Sequence, residues 1–152
     1  MKVIYIAAPF RAPTAGQIEQ NIRLAEAAAL EVWKLGAVPI CVHAMCRHYG
    51  GELSDEVWLA GDLELLHRCD AVLVEGNISP GMWDEIKAAK KTGRMPIFYS
   101  LLGLKQWLKN GYVDEDFDSA PALITAAIKS MPKIVNPMLP RQKKGKPCKS
   151  RR

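Results

Sequence analysis

Apolar residues along this chain recur with two alternating spacings. Short runs, Val3–Ala7, Val38–Val42, Ala71–Glu75 and Pro96–Tyr99, read as strands, four or five residues long and rich in β-branched side chains. Between them lie segments with helical spacing. Ile18, Ile22, Ala25, Ala29 and Val32 follow a Thr14–Gln17 capping-box spacing, and Gly36 supplies the stop. Leu59, Leu63 and Leu66 follow Ser54 or Asp55 as a cap. Met82, Ile86 and Ala89 follow Ser79-Pro80, with Ser79 suited to the N-cap and Pro80 to the first helical position, and Gly93 ends that run. Two more helices are expected near Leu101–Lys109 and Pro121–Ser130, while the stretch after Val42 reads as a polar loop through Gly50-Gly51.

Short strands alternating with amphipathic helices predict an α/β fold with a parallel sheet covered on both faces. The expected architecture is flavodoxin-like or Rossmann-like with strand order 2-1-3-4, leaving room for a fifth strand. Pro39 cannot donate to a ladder and belongs at an edge, which that order gives it. The ligand crevice of such a sheet lies at the carboxyl ends of strands one and three. This sets the loop Ala8–Thr14 beside the turn Gly76–Gly81.

Composition divides the chain in two. The formal charge is +5, yet Pro132–Arg152 holds eight basic residues, no acidic one and four prolines, which leaves 13 basic against 16 acidic residues in 1–131. The expected organisation is one α/β domain over 1–131 and a basic, Pro-rich, disordered tail over 132–152. That tail offers phosphate-neutralising charge, but it has no interleaved aromatic and no recognition motif, so a nucleic-acid partner is not favoured. No apolar run approaches a membrane span, and Met1–Tyr5 lacks the features of a secretory signal. A cytosolic location without a membrane partner is expected, with Cys41, Cys46, Cys69 and Cys148 as reduced thiols. Cys41-x-His43-x2-Cys46-x-His48 has zinc-ligand residue types, but four ligands in eight residues leave little room for tetrahedral closure. With Cys41 and His43 expected on one strand face, no metal or other cofactor is assigned.

Candidate chemistry gathers at the crevice. The helix start at Ser79 presents amide groups and a positive dipole end to an anion. Gly81 lies one turn before Glu85 and would clear access to its carboxylate. Glu85 borders the Met82–Ile86–Ala89 stripe; its ordinary alternative is a solvated helical glutamate paired with lysine. Asp62, beside Leu63, has a rim position, or else is a surface charge. Two carboxylates at one ligand are the minimum for glycosidic chemistry by nucleophile and acid. Arg11 could fork onto a phosphate or stand exposed, Tyr5 could serve the site or the core, and Pro9 and Met82 border the same space.

Three segments occurring in order carry a resemblance: Tyr5-Ile6-Ala7-Ala8-Pro9-Phe10-Arg11, Gly61 through Glu75, and Ser79-Pro80-Gly81-Met82-Trp83-Asp84-Glu85-Ile86. Together they resemble the nucleoside 2-deoxyribosyltransferase superfamily, over residues 3–99. Closest in pattern are its 2′-deoxynucleoside 5′-phosphate N-hydrolase branch and a related phage and bacterial domain family of uncharacterised function. The resemblance implies that Glu85 is the nucleophile at C1′ of a deoxyribose, that Asp62 assists the leaving group or positions the sugar, and that Tyr5 is the active-site tyrosine. It puts Ser79 and Arg11 at a 5′-phosphate and His43 near the ligand. Ala8-Pro9 stands where the hydrolase branch usually has Gly-Ser, so the reaction type is implied more strongly than the phosphate. It also implies a homodimer or higher homo-oligomer. The expected activity is N-glycosidic cleavage of, or deoxyribosyl transfer from, a 2′-deoxynucleoside or its 5′-monophosphate, without a cofactor. The competing readings are a catalytically silent nucleotide-binding module on the same fold, and a nucleic-acid-binding accessory protein that acts through the tail.

Overall fold

The computed structural model describes residues 1–111. Its order is β1 (Val3–Ala7), α1 (Ala15–Lys34), β2 (Val38–Ile40), α2 (Val42–Cys46), α3 (Asp55–Leu66), β3 (Ala71–Val74), α4 (Pro80–Lys91), β4 (Ile97–Phe98) and α5 (Leu101–Asn110). The four strands form one all-parallel sheet in the order β2-β1-β3-β4, the expected architecture. Pro39 lies on an edge strand, opposite Ile4. The helix expected at Pro121–Ser130 and the basic tail lie outside the described residues. Among the described residues no helix is long and apolar enough to cross a membrane.

Strand alternation sorts the side chains into two layers. Ile4 and Ile6, with Leu73 and Phe98, pack in one cluster with Ala25, Ala29 and Val32 of α1 and Leu104 of α5. Tyr5 and Ala7, with Val72, Val74 and Ile97, pack in the other with Leu66 at the end of α3 and Met82, Ile86 and Ala89 of α4. The same period of two that buries β1 therefore turns Tyr5 toward α3 and α4. Asp70 fixes the start of the central strand pair: its carboxylate accepts from the Val3 amide (2.8 Å) and from Lys2 Nζ (2.9 Å), and Lys2 holds its pKa down. Asp70 thus clamps β1 as well as opening β3.

The sequence reading needs correcting after β2. The strand ends at Ile40, not Val42, and the expected loop begins as the helix α2. The ladder with β1 closes at Tyr5↔Ile40, and the chain then folds back over α1. Val42 and His43 are buried by this turn. Arg47, just beyond α2, is paired with both Glu19 and Glu26 of α1, tying the segment down. Cys41 and His43 consequently do not share a strand face: Cys41 is the N-cap of α2 and His43 lies inside it.

The two crevice loops approach each other closely at Gly76. Its φ is +76°, and a Cβ there would lie 2.8 Å from Leu24 Cδ2 and 3.2 Å from Pro9 Cδ. Both the left-handed backbone and the contact with Pro9 require glycine. Gly76→Ala is expected to lower the unfolding free energy by about 1–3 kcal/mol. Gly61→Ala, in the exposed middle of α3 where a Cβ meets nothing within 4 Å, should raise it by up to about 1 kcal/mol. Urea denaturation of the two variants checks the pair.

Candidate active site

Glu85 is carried by α4, whose start is built as the sequence indicates. Ser79 is the N-cap, its Oγ accepting from the Met82 amide at 3.3 Å, and Pro80 opens the helix. Helical side chains lean toward the N-terminus, so Glu85 leans toward Gly81, where a Cβ would meet no atom within 4 Å. The carboxylate is buried, at 7% exposure, and among the described residues it pairs with no lysine. The solvated-glutamate alternative does not hold.

The partner of Glu85 comes from the sheet. The hydroxyl of Tyr5, fully buried, donates to Glu85 Oε1 at 2.7 Å. Glu85 Oε2 is buried and has no hydrogen-bond partner among the described residues. One oxygen is fixed and the other is left uncommitted. Burial pushes the Glu85 pKa up to about 7; the Tyr5 hydrogen bond opposes the rise, and the charges of Asp62 and Asp84 add to it. Burial, together with the Glu85 and Asp62 carboxylates, drives the Tyr5 pKa far above its usual 10, so the phenol keeps its proton.

Asp62, on α3, is half-buried, and desolvation raises its pKa to about 6. Its charge acts on Tyr5, on Glu85 and on the Cys46 thiol. Two carboxyl groups and a phenol therefore share one electrostatic environment, on the side of the sheet where Tyr5 packs against α4. Carboxyl groups raised this far hold or release a proton near neutrality, as acid–base and nucleophilic chemistry both require.

His43 lies against the loop that follows β1. It is 5% exposed, its ring meets Phe10 edge-on with centroids 5.5 Å apart, and burial lowers its pKa while the Ala8 and Pro9 backbone opposes that fall. Neither ring nitrogen completes a hydrogen bond of normal geometry with a described residue. Pro9 is half-buried and packs toward Gly76. Three expected binding residues have other commitments. Arg11 is exposed and paired with Asp55 at the start of α3. Ser79 Oγ caps α4. Met82, 2% exposed, packs in the core beneath the helix start, and its Sδ accepts from the Ser79 amide at 3.3 Å, so it is not on the crevice surface. An exposed ion pair such as Arg11–Asp55 contributes little, and an anion could draw Arg11 from it. Two concavities lie elsewhere. One, of about 560 Å³, is bordered by Lys90, Arg94, Tyr99 and Trp107; the other, of about 360 Å³, by Trp33, Pro39 and Met45. Neither includes Tyr5, Asp62 or Glu85, whose chemistry rather than the size of any hollow marks this site.

Sequence reasoning missed the α2 wall of the crevice. The residues after Val42 read as a polar loop, with His43 placed near the ligand only by resemblance, although Val42-His43-Ala44-Met45-Cys46 has no helix breaker that requires a loop.

The titration of the site has a definite sign. In the folded chain Glu85 keeps its proton from its ordinary 4.5 up to about 7, and Asp62 from 3.8 up to about 6, where the unfolded chain has released both. The stability this contributes is fully present below those ordinary values and is lost as pH rises through about 7 and about 6. Glu85→Gln is therefore expected to flatten the decline in unfolding free energy from about pH 5 to about pH 8. Denaturant titrations across that range check it, and an unchanged slope would place the buried proton elsewhere.

Comparison with known proteins assigns the domain without assigning its chemistry. No curated protein matches the chain. Residues 2–100, which include the whole sheet and every residue of the site, match the model of a domain of unknown function, DUF7768. The chain belongs to the DUF7768 domain family.

Proposed function

We propose that this domain cleaves the N-glycosidic bond of a 2′-deoxynucleoside or its 5′-monophosphate, through a covalent deoxyribosyl ester on Glu85. The observation that carries the reading is the buried Glu85 carboxylate, held on one oxygen by the Tyr5 hydroxyl and uncommitted on the other, within the field of Asp62. The ordered resemblance of the segments holding these three residues to nucleoside 2-deoxyribosyltransferases supports the same reading.

The chemistry follows from the two oxygens. The phenol donates to Oε1 and fixes the carboxylate plane, leaving Oε2 as the attacking atom. Oε2 forms a bond to C1′ as the C1′–N bond breaks, and the departing base nitrogen takes a proton from the Asp62 carboxyl. Water then attacks C1′, Asp62 accepts its proton, and the sugar leaves with Glu85 regenerated; a second base in place of water makes the reaction a transfer. Desolvation serves both steps. It makes the ionised Glu85 a more reactive nucleophile and keeps a proton on Asp62 within reach of neutral pH. The productive form carries one proton across the two carboxyls, and their titrations belong to the pair. The start of α4 at Ser79 faces an anion favourably, which suits a 5′-phosphate.

The test is chromatographic detection of free base from a panel of deoxynucleosides and their 5′-monophosphates. Glu85→Ala should lower base release by roughly a thousandfold or more, and Asp62→Asn by roughly 10²–10⁴-fold. The wild-type rate should follow a bell with its maximum between about 6 and about 7. Tyr5→Phe, which removes the bond that favours ionised Glu85, should move the upper limb to higher pH. Intact substrates throughout the panel would overturn the proposal.

A further inference from the structure

The wall that α2 and α3 form beside the site has a regular construction. Asp55, Trp58 and Asp62 stand at i, i+3 and i+7 on α3 and so share one helix face. Opposite them, the chain from α2 presents residues at intervals of three. His43 meets Phe10, the Cys46 thiol lies in the field of Asp62, and Tyr49, whose amide donates to the Cys46 carbonyl at 3.0 Å, stacks on Trp58. The wall thus runs outward in steps: Cys46 with Asp62 beside the buried carboxylate, Tyr49 with Trp58 one helical turn farther, and Arg11 with Asp55 at the rim.

The middle step is aromatic and open. The Tyr49 and Trp58 rings are nearly parallel, at 17°, but their centroids are 6.5 Å apart, near the loose end of the range of about 4.5–7 Å for aromatic pairs. Tyr49 is 55% exposed, and Leu53 and Val57 beside the pair are exposed as well. Trp58 is half-buried, and core packing does not account for a Tyr49 ring left this uncovered beside it.

We propose that Trp58 and Tyr49 form the stacking platform for the planar heterocycle of the substrate. This inference rests on the glycosidic reading of the site for its choice of ligand. A base is bonded directly to the carbon that Glu85 attacks, so a sugar held between Asp62 and Glu85 puts its base within one helical turn of Asp62, the position of Trp58. Stacking tolerates any base, since each has a π-face. The platform therefore holds the heterocycle, and the donors and acceptors around it choose among bases. His43, one step along the same wall and three residues before Cys46, with its ring against Phe10, is one such group.

The full chain, with Trp58→Leu, Trp58→Phe and Tyr49→Leu, is tested in two assays. The first titrates adenine, guanine, cytosine and thymine by calorimetry, which needs no turnover. The second measures kcat and KM for base release from the 5′-monophosphates of the deoxynucleosides. Trp58→Leu is expected to weaken base binding and raise KM about tenfold or more, with a smaller change in kcat. Tyr49→Leu should act in the same direction, and Trp58→Phe, which keeps an aromatic face, should recover most of the loss. Turnover with KM unchanged in Trp58→Leu would remove the platform and leave the glycosidic reading standing. Binding of free bases that depends on Trp58, without any base release, would keep the platform and remove the reaction. A wild-type chain that neither binds a base nor releases one would overturn both.

Discussion

A carboxylate without water around it must find compensation or take up a proton. Among the described residues Glu85 meets that constraint with a single donor, the Tyr5 hydroxyl, and the rest of the site is arranged around the bond between them. The phenol reaches α4 because β1 alternates its side chains and Tyr5 falls on the face that α3 and α4 cover. The glutamate reaches the phenol because the Ser79-Pro80 start sets the phase of α4, with Met82, Ile86 and Ala89 fixed in the core. A shift of one residue in either element would separate the two groups. The bond is therefore a condition on strand register and helix phase together.

The scaffold and the tuning of this site are separate in the structure. The central strands β1 and β3 are locked at their amino ends by Asp70 and at their carboxyl ends by the close approach of Gly76 to Pro9. Between these fixed points the carboxyl groups differ in degree. Glu85 is buried and Asp62 half-buried, so the two are raised unequally, to about 7 and about 6. The single proton of the pair therefore favours Glu85, and on the reading proposed above the productive form is the minor one, with that proton on Asp62.

Much of this was legible from residues alone, for identifiable reasons. The strand order followed from element alternation and from Pro39, which an interior strand would have left without a ladder donor. The start of α4 followed from Ser79 and Pro80, whose local chemistry is sufficient to set a helix start. Glu85 and Asp62 were placed near the crevice by the phase of their apolar neighbours. What could not be read was pairwise. That Tyr5 meets Glu85 across 80 positions, that Arg11 is engaged by Asp55, and that Met82 turns under the helix depend on tertiary approach rather than on spacing. The α2 helix was missed for a related reason. Its five residues have little intrinsic tendency to fold alone, and burial of Val42 and His43 together with the hold of Arg47 on α1 decide its conformation.

The α2–α3 wall is held from outside the sheet, by Arg47 on α1 and by its own aromatic pair, while the carboxylate and phenol belong to the innermost elements. Exposed residues of the wall such as Tyr49, unlike Asp62, can be exchanged without disturbing strand register or the phase of α4. If the glycosidic reading above holds, descendants of this chain can diverge in what they accept while inheriting an unaltered buried pair, and diversity within the family should accumulate on that flank first.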